Sequence, residues 1–80
     1  MLKMKEFLVA YDYGMGALWG VVVASSEEEV EKKYSEMKIF HDRPEWMNDK
    51  QYSEIISNSY WDISGGVRPE WVKLYEEGMR

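Results

Sequence analysis

The chain has no cysteine, a single histidine and two prolines, and its apolar runs are short. Without cysteine it has no disulfides, no thiolate metal ligands and no thiol nucleophile. One histidine, His41, leaves the usual zinc sites, which draw on several His or Cys ligands, without their donors. Its neighbour Asp42 would point to the opposite face of a strand, so the pair does not orient a general base. A surface position at a strand end is the expectation for His41. The apolar run Phe7-Leu8-Val9-Ala10 is interrupted soon after by Asp12. A secretory signal needs about 7–15 apolar residues and a membrane span about 20, so neither is expected. A cytoplasmic protein without a membrane partner follows as the expectation.

Positive charge is also scarce. Ten basic residues stand against fifteen acidic ones, for a net charge of −5. Such a field repels nucleic-acid phosphates and steers the protein towards a basic surface on a protein partner. Aromatic residues, by contrast, make up 15% of the chain, which suffices for a core in one small domain spanning residues 1–80.

Tyr11-Asp12-Tyr13-Gly14-Met15-Gly16-Ala17-Leu18-Trp19-Gly20 lies between Phe7-Leu8-Val9-Ala10 and Val21-Val22-Val23. Two strand-like runs joined by a short loop with two glycines predict a β-hairpin with Met15 at its tip. Gly14 and Gly16 are not read as a phosphate loop, because a strand rather than a helix follows them. Both faces of both strands are largely apolar, so either other elements or a second copy of the chain must cover the second face.

Ser26 and Glu29 have capping-box spacing, and Val30, Tyr34 and Met37 form an apolar stripe, predicting a helix over 26–37. Ile39-Phe40 reads as a short strand, Asn48 to Gln51 as a second capping box opening a helix near 49–57, and 59–63 as a strand. Pro69 opens a last helix near 69–77, which Gly78 ends. Arg43-Pro44-Glu45-Trp46-Met47 recurs as Arg68-Pro69-Glu70-Trp71-Val72. Each copy is read as a helix entry whose Trp turns back onto the core.

The expected fold is therefore α+β: an N-terminal hairpin in a small antiparallel or mixed sheet of three to four strands, with two to three helices mainly on one face. The order is β-β-α-β-α-β-α. No catalytic set, metal site or cofactor motif is found, and a non-enzymatic protein is expected. Tyr, Trp and Met are enriched at interface centres, so Tyr13, Met15, Trp19, Trp46 and Trp61 are the candidate partner-binding residues. A second reading is a small-molecule site between two copies of the chain, using Asp12, Arg43 and Arg68. A third pairs Asp12 with Asp62 or His41 in a minimal hydrolase.

The run from Phe7 to Gly16, with Trp19, resembles a group of small bacterial proteins of unassigned function. In that group a similar hairpin precedes an acidic helix and then a segment like Arg43 to Met47. The resemblance spans residues 5–63 and implies the fold and a single domain, and no activity. Ala17 departs from the group's pattern, which has a further glycine there. The leading expectation is a small acidic protein that occludes or regulates a larger partner, in the manner of inhibitors, immunity proteins or phage counter-defence proteins.

Overall fold

The computed structural model describes residues 3–78. Its N-terminal half is organised by the hairpin: β1 (Lys5–Asp12) and β2 (Ala17–Ala24) pair antiparallel from Lys5 opposite Ala24 to Asp12 opposite Ala17. The Tyr13 N–H donates to the Gly16 carbonyl at 3.2 Å, and the Asp12 carboxylate accepts the Gly14 N–H at 2.8 Å. Gly14 has φ of 97°, a left-handed conformation that glycine adopts without the Cβ penalty.

Two strands of three residues extend this ribbon. β3 (Lys38–Phe40) lies antiparallel along β1, and β4 (Tyr60–Asp62) lies parallel along β2. The mixed sheet has the order β3-β1-β2-β4. With α1 (Glu27–Lys33), α2 (Asp49–Asn58) and α3 (Glu70–Glu76) the architecture is α+β, in the expected order β-β-α-β-α-β-α.

Side-chain alternation sends Val9, Tyr11 and Val22 to one face, where Val30, Tyr34 and Val72 meet them. Leu8 and Val21 point to the other face, against Met47, Ile55 and Ile56. Two of the three helices, α1 and α3, thus pack on one face, and α2 packs on the other. α2 and the turn before it cover the second face, because apolar residues at alternate positions of both strands require cover on each side. The chain thus supplies for itself the cover that a second copy was invoked to provide.

Local signals explain the helix ends. The Ser26 hydroxyl accepts the Glu29 N–H, but the Glu29 carboxylate reaches one residue further back, to the Ser25 N–H and hydroxyl. Those bonds hold the Glu29 carboxyl below its ordinary pKa range. α1 ends at Lys33, short of the expected 37, because Tyr34 leaves helical geometry; Tyr34 and Met37 remain buried all the same. Asn48 and Gln51 form both halves of a capping box at the start of α2. Beyond α3, Gly78 has a left-handed φ of 94°.

The repeated pentamers share one turn and then diverge. In each, the N–H of the fifth residue donates to the proline carbonyl: Met47 to Pro44 at 3.0 Å, Val72 to Pro69 at 3.1 Å. The second copy runs on into α3, while the first stops and Asn48 starts a new helix. The anchor in each is the fifth residue rather than the Trp: Met47 and Val72 are buried, on opposite faces of the sheet. The expectation of two helix entries with inward Trp side chains holds only in part for the second copy, where Trp71 packs half-buried against Trp61.

Candidate functional site

On the second face, Ala10 of β1 lies between Trp19 of β2 and Lys38 of β3. The small Ala10 leaves room for larger neighbours. Trp19 and the Phe40 ring, opposite Leu8, come to 5.0 Å between centroids at an angle of 39°. Trp46, presented by the 44–47 turn, stands edge-on to Trp19 at 5.3 Å and 80°. Met47 pins that turn from below, so Trp46 is held in place while 58% exposed.

Cations of the same chain flank these rings. The Lys38 ammonium lies 5.2 Å from the Phe40 centroid, and the Arg43 guanidinium 4.9 Å from that of Tyr52. Arg43 also pairs with Asp49 at 2.9 Å. Asp42 and Glu45, close in sequence to Trp46, are exposed. Apolar rings inside a polar rim have the character of an interface centre. Contact between Trp19 and Trp46 leaves no hollow between them, so a ligand would lie on this surface rather than inside it.

Of the expected partner-binding residues, Trp19 and Trp46 are brought together here. Met15, 90% exposed, and Tyr13, about half exposed, remain on the hairpin loop. Trp61 does not belong with them. It is 2% exposed and donates its indole N–H to the Tyr34 oxygen at 3.1 Å, because β4 turns it towards the α1–α3 face.

Within one chain the alternative ligand set is not brought together. Asp12 holds its own loop, Arg43 lies beside Tyr52 on the second face, and Arg68 pairs with Glu76 of α3. Nor do Asp12 and Asp62 form a carboxylate pair. β2 separates their strands, Asp12 is at the hairpin end, and Asp62 lies beside Val23 near the other end. The Asp62 carboxylate accepts from the Ser64 hydroxyl and N–H, which hold it below its ordinary pKa range. His41 pairs with Glu27 rather than with Asp42, its exposed ring nitrogen 2.6 Å from that carboxylate.

A cleft of about 410 Å³ opens on the α1–α3 side, lined by Lys33, Ser35, Arg68, Tyr75 and Glu76. Its charges are matched internally. The Glu76 carboxylate is 2.8 Å from Arg68 Nε and 3.9 Å from Lys33 Nζ, and accepts the Tyr34 hydroxyl at 2.7 Å. Lys33 also donates to the Ile63 carbonyl, and Arg68 to that of Gly66. A charged ligand would have to displace these pairs. Among the described residues no group of three or more His, Cys, Asp or Glu is placed to hold a metal ion, and no helix is long and apolar enough to cross a membrane.

Sequence reasoning missed Phe40 and Lys38 as members of the surface. Their membership depends on the register of β3 against β1, and a strand of three residues carries too short a period to reveal it. Comparison with family models, curated proteins and solved structures returned no match.

Proposed function

We propose that this protein is a non-enzymatic binding protein that acts by covering a site on a larger protein partner with a basic surface. The observation that carries this reading is Trp46, held edge-on to Trp19 yet 58% exposed. A large ring already fixed at the surface loses little freedom on binding, and aromatic anchors of this kind dominate interface energies. The net charge of −5 supports a basic partner and favours fast encounter with it. Met15 on the hairpin loop supplies a second apolar contact.

The test is affinity capture of the tagged protein from its native lysate, alongside Trp46→Ala and Met15→Asp variants and light scattering of each. One stoichiometric partner, lost in Trp46→Ala while fold and mass are unchanged, is expected. A partner retained by both variants, or a stable homodimer with no partner, would overturn the reading.

A further inference from the structure

Resting on that reading, we infer that the partner contributes an arginine side chain, which stacks on the exposed face of the Trp46 indole and pairs with Glu45 or Asp42. The chain contains the pattern once already: Arg43 lies 4.9 Å from the Tyr52 centroid while its guanidinium reaches the Asp49 carboxylate at 2.9 Å. Phe40 likewise has Lys38 beside it, at 5.2 Å. Among the described residues no cation of the chain is recorded over Trp46, the most exposed ring of the surface. Glu45, adjacent to it in sequence, and Asp42, four residues before it, are exposed carboxylates that complement an incoming positive charge, while Asp49, three residues after it, already pairs with Arg43.

Arginine fits this position better than lysine. Its guanidinium is planar, stacks on an aromatic face and bonds a carboxylate at its edge in the same pose. Indole is also the ring that attracts a cation most strongly. A hollow cage for a quaternary ammonium is excluded, since Trp19 and Trp46 are in contact at 5.3 Å.

The inference is tested on the full chain with two synthetic nonapeptides, (Gly-Ser-Arg)₃ and (Gly-Ser-Lys)₃. Binding is followed by NMR through the Trp19 indole N–H and backbone amide resonances, which every variant retains, and in the parent also through the Trp46 indole N–H. Saturable shifts with the arginine peptide are expected. Its affinity should fall about two- to thirtyfold in Trp46→Ala, the range an aromatic–cation contact spans. The double variant Glu45→Gln/Asp42→Asn, which leaves the ring in place, should weaken binding and remove the preference over lysine. Equal binding of the two peptides, or arginine binding undiminished in Trp46→Ala, would overturn the inference. So would a captured partner whose Trp46 contact contains no arginine, and that result would leave the binding reading standing. Loss of the binding reading is recognised separately, by a captured partner retained by both Trp46→Ala and Met15→Asp, or by a stable homodimer with no partner.

Discussion

Gly20 and Trp61 approach so closely that a Cβ on Gly20 would stand 2.7 Å from Trp61 Cζ3. The same atom would lie 3.1 Å from the Ser59 carbonyl oxygen and 3.2 Å from Trp71 Cζ2. Trp61 and Trp71 meet edge to face at 5.8 Å over this bare backbone. Gly20 is thus a packing requirement of the α1–α3 face. Gly20→Ala should cost about 1–3 kcal/mol, as overpacking does when backbone lines the contact. Gly14→Ala has open space and should cost about 1 kcal/mol, through its positive φ alone. Urea midpoints of the two variants against the parent check this order.

Tyr34 links the core to α3: it accepts the Trp61 indole N–H and donates to Glu76. Tyr34→Phe removes both bonds and leaves a buried donor unpaired, at about 1–3 kcal/mol. Burial, and then the Glu76 carboxylate, push the Tyr34 hydroxyl up to about 12 from its ordinary value near 10. A folded-state pKa that is raised adds stability below about pH 10, which is lost as pH rises towards 12. The stability difference between parent and Tyr34→Phe should therefore shrink across that window, as read from denaturation at stepped pH.

The His41–Glu27 pair ties the end of β3 to the first turn of α1. The Glu27 carboxylate, by accepting the hydrogen bond and by its charge, holds the imidazole above its ordinary pKa. Its contribution is complete below the unfolded value, about 6.5, and disappears as pH rises through the folded one. Glu27→Gln should move the His41 titration, followed by NMR, down to the ordinary range. A titration unchanged by the substitution would show that the pair does not form in solution.

The repeated turns predict an inverted order of residue size and stability cost. Met47→Ala should cost about 2–5 kcal/mol, as for other buried methionines. Trp46→Ala should cost only about 0.5–1.5 kcal/mol, the worth of its edge contact with Trp19. Thermal or urea denaturation of the two variants decides it, and a Trp46 cost above that of Met47 would refute the anchoring role of the fifth residue.

The hairpin and the start of α2 were legible in the sequence because their determinants are local. Alternation with period two, a glycine at a left-handed turn position, and Asn48 three residues before Gln51 act over a few positions. β3 and β4 are only three residues long, and their pairing depends on contacts distant along the chain. That is why the surface could be named only in part. Trp19 and Trp46 were expected as candidates, while Phe40 and Lys38 needed the β3 register, and Trp61 needed the orientation of β4.

Residue order alone determined that two apolar-faced strands would be joined tightly and where helices would start, at Ser26, Asn48 and Pro69. It did not determine which apolar side chains stay wet. Trp46 and Trp71 occupy the same place in matching pentamers, yet one is exposed beside Trp19 and the other packs over Gly20. Trp19 and Gly20 are consecutive in β2 and face opposite ways, so a bulky ring meets one tryptophan and bare backbone receives the other. Burial is set by the partner that the assembled sheet provides, and that partner comes from elsewhere in the chain.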